Sequence, residues 1–395
     1  MSPASSPVAK NVQKLKFLKS RDASWLLTLA TSCKLAIKEL KKWMTPEEVP
    51  VPPMALPGTA MVVPEPLGVA LVIAPWNFPV LLAINPLIGA ISAGCAAVLK
   101  PSEISPTVSS ILAKLIPKYL DTDAIHVIEG GVPITTALLA QKWDKIFYTG
   151  NPTVGRIVMA AAAKHLTPVT LELGGKSPLY IDDSVDLKVE TLKATIVEFY
   201  GEDTSTSPDL TRIVTANHFR RVTRLLDDPR TTEKIVHGGE RNEQSLFIAP
   251  TIVLDVPLDV PVMLEEIFGP ILPIITVKGA DEAINIILDL PKPLALYVFS
   301  TNNTVQERFE TETSAGGMAI NETVLHFTIT GFPFGGVGES GMGAYHGKHS
   351  FDTFSHKKGV YRKGMDGDAE GTFPPYTIAR NNLIRSFLTE DLEES

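Results

Sequence analysis

From Val69 onward, apolar and polar positions come in blocks that predict strands and helices in turn. Residues 69–73 are continuously apolar, as in a strand buried on both faces. A helical pattern follows over roughly 80–93, and a second apolar run over 97–99. The rhythm then continues through a helix at 107–119, a strand at 126–128, a helix at 134–140, a strand at 145–148 and a helix at 154–163, with prolines and glycines at the joints. Such alternation with short connections predicts a mainly parallel sheet covered by helices on both faces, with ligands beyond the carboxyl ends of its strands. Two strand-like stretches, 169–173 and 178–181, precede a charged helical stretch at 190–199. A second α/β unit is expected over 213–320, and the glycine-rich stretch 331–347 reads as loop.

The uncharged stretch 66–99 is long enough to raise the question of a membrane span. Pro75, Asn77, Pro79, Asn85 and Pro86 interrupt it, so a buried strand-helix-strand unit is the better reading. With 395 residues, 44% of them hydrophobic, the chain can build more than one packed core. Lysine and arginine number 36 against 44 acidic residues, for a net charge of -8 without a basic cluster that could neutralise a run of phosphates, which argues against nucleic acid as a partner. The two cysteines, Cys33 and Cys95, are too few for a disulfide framework or a thiolate metal site, and no metal is expected. A cytoplasmic setting follows. The alternative is an organelle, since the first 21 residues carry Lys10, Lys14, Lys16, Lys19 and Arg21 without an acid.

Three predicted strands end in candidate chemistry. The first ends in Pro75-Trp76-Asn77-Phe78-Pro79, where the Asn77 amide either donates to a developing oxyanion or merely caps the next helix. The second ends in Leu99-Lys100-Pro101-Ser102-Glu103, a cation and a carboxylate suited to ribose hydroxyls, or an ordinary solvated turn. The third ends in Gly150-Asn151-Pro152-Thr153-Val154-Gly155, whose backbone N–H groups at a helix start could meet a pyrophosphate. By contrast, Gly336-Val337-Gly338-Glu339-Ser340-Gly341 fits a dinucleotide fingerprint but lacks the βα context, and reads as loop.

Together with Leu171-Glu172-Leu173-Gly174-Gly175-Lys176-Ser177-Pro178, Glu265-Glu266-Ile267-Phe268-Gly269-Pro270 and Pro333-Phe334-Gly335-Gly336-Val337-Gly338-Glu339-Ser340-Gly341, the first two strand ends resemble the aldehyde dehydrogenase superfamily. His346-Gly347-Lys348 through Phe354-Ser355-His356-Lys357-Lys358 resembles its class 3 branch, and the start near Thr31-Ser32-Cys33-Lys34 the plant members. The resemblance implies an N-terminal helix and a parallel Rossmann-type cofactor domain over 1–170, a second α/β catalytic domain over 171–330, and a bridging or oligomerisation segment over 331–395. It also implies an aldehyde substrate and NAD or NADP as cofactor. In that family a cysteine thiolate attacks the aldehyde, hydride passes to the nicotinamide, and water activated by a glutamate releases the acid. Carried over, Glu172 is the general base and Asn77 the oxyanion donor. Lys100, Ser102 and Glu103 meet the adenosine ribose, Gly150, Asn151 and Gly155 border the pyrophosphate, and Glu266 with Phe268 positions the nicotinamide ribose. Glu103 modestly favours NAD, because a carboxylate repels a 2′-phosphate.

The match breaks after Val189, where the family has a helix, a Gly-Gln-x-Cys loop and a buried strand. Here 190–198 leads straight into Phe199-Tyr200-Gly201-Glu202-Asp203, as if a few tens of residues were deleted. In a rival register Ser205 of Thr204-Ser205-Thr206-Ser207-Pro208-Asp209 stands at the nucleophile position, but an alkoxide is far harder to generate than a thiolate. Two readings follow. One is an aldehyde dehydrogenase by descent, inactive for want of its cysteine. The other is a pseudoenzyme or splice-variant nucleotide-binding partner, homodimeric or paired with an intact paralogue. The deletion should also leave the second domain loose unless helix 190–199 docks into the vacated place through Leu192, Ile196 and Phe199.

Overall fold

The structure is a computed structural model that describes residues 20–52, 55–185, 188–365, 373–382 and 385. Its centre is a six-stranded sheet whose first five strands are Val69–Ile73, Ala96–Lys100, Ile125–Val127, Lys145–Thr149 and Val169–Glu172, all parallel. Val69–Ile73 lies in the middle, and its side chains alternate between two cores. Ala70 and Val72 face one with Leu87, Leu99 and Phe147, while Leu71 and Ile73 face the other with Ile146, Val158 and Leu171. Burial on both faces explains the unbroken apolar run.

Helices Leu81–Ala93, Pro106–Tyr119, Val132–Leu139 and Pro152–Ala163 connect the strands, within two or three residues of the predicted spans. The stretch 66–99 is thus strand, helix and strand, and no described helix is long and apolar enough to cross a membrane. The transit-like stretch before residue 20 lies outside the described residues. Gly94, at φ 86, ends the first of these helices in the left-handed conformation a side chain would oppose, and its N–H caps the carbonyls of Ala90 and Ile91.

Three expectations need correction. The stretch 331–347 is not all loop, because Gly341–Met342 forms the sixth strand, antiparallel to Leu171 and Glu172. The two strand-like stretches, a pair in the sequence, are strands of different sheets: Leu179–Ile181 pairs with Ala295–Phe299, which also pairs with Gly317–Ile320. Nor is 213–320 one α/β unit. A separate three-stranded sheet joins Ile235–His237, Thr251–Leu254 and Ile271–Ile274 under helix Ala216–Asp227. A long antiparallel ribbon of Thr59–Pro66 with Ser355–Arg362 was not foreseen either. Thr59–Pro66 is half-buried and interrupted by Pro64, and Ser355–Arg362 is mostly exposed and polar, so neither carries much strand signal. Helix Val189–Tyr200 forms, but none of its side chains is fully buried; Leu192 and Ile196 are half-buried and Phe199 is 64% exposed.

Candidate active site

Register brings the motif ends together. Ile73 lies beside Lys100 and Tyr148, and Thr149 beside Glu172, so four strands deliver their carboxyl ends to one edge of the sheet. Glu172 is the most unusual group there. It is 3% exposed, and neither carboxyl oxygen has a hydrogen-bond partner among the described residues. Burial raises its carboxyl well above the ordinary carboxylate range. The Thr149 hydroxyl beside it in register is buried and unpartnered too. Such orphaned polar atoms at a strand edge suit a ligand or an ordered water. Tyr345, fully buried, has its phenol pushed up by burial and by the nearby Glu172.

The Lys100 ammonium is 4% exposed as a side chain and donates to Glu103 Oε2 at 2.8 Å and to the Gly130 carbonyl at 3.1 Å. Burial opposes ionisation of Glu103, but that hydrogen bond and the charge on Lys100 bring its carboxyl below the usual range. The Glu103 carboxylate, 41% exposed, therefore faces solvent as a fixed anion. Ser102 is buried, and its hydroxyl accepts from the amide of Ile104 at 3.3 Å, an internal turn contact.

The helix turn departs from the sequence expectation of free N–H groups. Gly150 donates its amide to the Glu172 carbonyl at 3.0 Å, and Gly155 to the Asn151 carbonyl at 3.0 Å. Pro152 has no N–H, and the Asn151 side chain caps the helix by accepting from Val154 at 2.9 Å. Gly155 also packs closely on Leu173, where a Cβ would stand 2.9 Å from the leucine side chain. Its glycine serves helix-to-strand packing as much as any phosphate.

The Glu265-Glu266 loop docks on the same edge. A Cβ on Gly174 would stand 2.1 Å from the Glu266 carboxylate, so glycine there lets that carboxylate approach the backbone. Burial raises Glu266, opposed by the Gly175 amide and by Arg221 and Lys176. Lys176 donates to the carbonyls of Val262 at 2.6 Å and Glu265 at 2.9 Å, and burial pulls its ammonium down to about 8. Trp76 packs edge-on against Phe268 and against His218, with ring centroids 5.1 Å apart in both pairs. Sequence reasoning missed His218, Arg221 and Tyr345, because each acts through contacts distant in the chain. Asn77 is half-buried beside Trp76.

Of the nucleophile candidates, Cys95 is buried and its thiol donates to the Phe354 carbonyl at 3.3 Å; Cys33 is half-buried on the N-terminal helix. Burial pushes both thiols up, away from reactive thiolate character. Ser205 is exposed on the short turn Thr204–Thr206, its hydroxyl donating to Asp203 at 2.6 Å. Asp203 is a local turn acceptor rather than an activating base. Among the described residues no group of three metal-ligating side chains gathers.

The architecture is a mainly parallel sheet covered on both faces, with polar groups at its carboxyl edge, and the family pattern specifies it further. The aldehyde dehydrogenase family pattern matches residues 19–203 and 189–360, and the chain belongs to that family. It is 48% identical to aldehyde dehydrogenase family 3 member H1 of Arabidopsis thaliana, covering 92% of this chain and 82% of that protein. Identity to the chloroplastic family 3 member I1 of the same plant is 50%, covering 92% and 72%. The fold matches the substrate-bound AldH of Staphylococcus aureus with a TM-score of 0.85 at 41% identity, over 91% of this chain and 86% of that one. It also matches a Mycobacterium tuberculosis aldehyde dehydrogenase complexed with NAD+ at a TM-score of 0.72 and 28% identity, over 83% and 76%.

Proposed function

We propose that this chain is a nucleotide-binding aldehyde dehydrogenase homologue that does not itself oxidise aldehydes. The observation that carries the reading is the disposition of its two cysteines. Cys95 is bonded to Phe354 in a core and Cys33 sits on the N-terminal helix, while the Glu172 carboxyl has no thiol partner. The family pattern also matches in two pieces that share residues 189–203, which supports a junction at helix Val189–Tyr200. Without the thiol, the adduct that would release hydride cannot form.

The residues present fit a dinucleotide of the NAD type. Glu103, fixed by Lys100, supplies an exposed anion for ribose hydroxyls, and the unpartnered Glu172 and Thr149 groups leave polar capacity at the strand edge. Glu266 and Phe268 would hold the nicotinamide ribose, and Asn77 would point a donor toward a carbonyl oxygen. Bound nicotinamide would supply hydride acceptance. The protein's own part is to exclude water around Glu172, whose carboxyl is raised above the ordinary range by burial. Glu103 favours NAD modestly over NADP, by repulsion of a 2′-phosphate. The chain's partner is a second copy or an intact paralogue.

The test is NADH or NADPH production from a panel of aliphatic and aromatic aldehydes, with calorimetric titration of NAD in parallel. Binding without turnover is expected. A steady rate comparable to an intact relative, abolished by Glu172→Gln, would overturn the reading.

A further inference from the structure

We propose that the outward face of helix Ser20–Trp43 docks on an anionic lipid bilayer. The inner face of this helix is accounted for: Leu29, Ala36 and Trp43, seven residues apart, are buried, and Trp43 meets Phe351 at 5.9 Å between ring centroids. No described residue covers the outer face. Ile37 is 79% exposed, Leu27 66% and Met44 56%. At about 100° per residue, Ile37 lies between Lys34 and Lys41 on the outward side, with Lys38 and Lys42 further round; all four lysines are exposed, as is Met44 just beyond the helix end. Where the helix ends, Ile37, Leu40, Lys41, Met44, Thr45 and Pro46 line an open groove of about 540 Å³.

Four lysines within residues 34–42 are too few to neutralise a run of nucleic-acid phosphates, but they stand out locally on a protein of net charge -8. Glu39 lies 3.5 Å from Lys38, and Glu47 and Glu48 are exposed on the strand that follows, so the positive field is local. Lysines beside apolar groups suit a bilayer surface: the ammoniums reach the headgroup phosphates, while Ile37 and Met44 enter the acyl boundary. A protein partner suits the face less, because lysine is depleted in the cores of protein interfaces. No described helix is long and apolar enough to cross a membrane.

The experiment is co-sedimentation of the full chain with phosphatidylcholine vesicles, with and without phosphatidylglycerol, across a salt series. Binding should require phosphatidylglycerol, fall with salt, and drop more than about tenfold in Lys34→Glu/Lys41→Glu. Ile37→Asp should weaken it further. Should the charge reversal unfold the chain by circular dichroism, the charge-neutral Lys34→Gln/Lys38→Gln/Lys41→Gln/Lys42→Gln set gives the same readout. Equal binding to both vesicles, no binding, or binding untouched by these variants would overturn the proposal. So would a lipid-free dimer that Ile37→Asp dissociates in sedimentation velocity, which would give the face to a second copy.

Discussion

The amide of Gly150 donates to the carbonyl of Glu172 across 3.0 Å, tying the turn that opens helix Pro152–Ala163 to the strand end carrying the buried carboxyl. A nucleotide held at the turn would therefore bear directly on the position of Glu172. Within that turn, the Asn151 side chain occupies the Val154 N–H that an anion would use. Asn151→Gly should lower stability by only a few tenths of a kcal/mol while raising NAD affinity, up to about tenfold. Calorimetry and thermal melting check both, and unchanged affinity would mean that the cap does not compete.

Lys100→Ala removes the buried ammonium that joins Glu103 to the Gly130 carbonyl. The sheet edge should lose the orientation of its carboxylate, weakening NAD binding by about tenfold, the usual worth of a charged hydrogen bond. Titration calorimetry on the folded variant reads the change.

Glu172 gives a signed pH dependence. Its carboxyl titrates higher in the folded state than in the unfolded chain, so its stabilising contribution is complete below the unfolded value near 4.5 and is lost as pH rises toward the folded value. Glu172→Gln should match the parent in stability near pH 4 and exceed it at neutral pH. The difference should grow by at most about 1.4 kcal/mol per pH unit. Urea unfolding at several pH values measures it, and a difference of opposite sign would rule out a neutral buried acid.

His346 behaves in the opposite sense. It is buried against Phe334, stacked at 5.1 Å, and its imidazole is pulled down to about 4 by burial and then by His349. The unfolded chain binds a proton below about 6.5 that the folded chain refuses, so stability falls as pH drops from 6.5 to 4, by about 3 kcal/mol in all. His346→Asn tolerates the local φ of 84 and should flatten this acid limb even where it lowers stability overall. Melting curves across that pH range would show it.

Gly341→Ala should detach the sixth strand. The backbone there has φ 139, and a Cβ would stand 2.0 Å from the Leu171 carbonyl oxygen, which cannot move without breaking the pairing. A loss of about 3 kcal/mol is expected in urea unfolding, with hydrogen exchange rising at Leu171 and Leu173.

How far the sequence reached depended on the range of the forces involved. The central strands were legible because burial on both faces leaves an apolar run such as 69–73, and the helices because proline and glycine bound them. Gly341–Met342 was not, since a two-residue strand has no periodicity and exists only through its pairing with Leu171 and Glu172. Glu172, Asn77, Lys100 and Glu103 were found as motif members at strand ends. What the motifs could not convey was protonation and occupancy: that the Glu172 oxygens are orphaned, or that Asn151 uses up the donor it was expected to border. These depend on solvent exclusion and on side-chain torsions, which a linear string does not record.

The second half of the fold holds two sheets of three strands, each with one interior strand, and a short two-stranded hairpin, whereas four of the six strands of the central sheet are interior. A strand at an edge has a row of amides without a partner strand, so the two halves should shed deuterium on different clocks. Thr251–Leu254 and Ala295–Phe299 would be the slow islands of their sheets, each flanked by faster-exchanging borders. The central sheet would exchange as a block, and the molecule would wear from its second half inward.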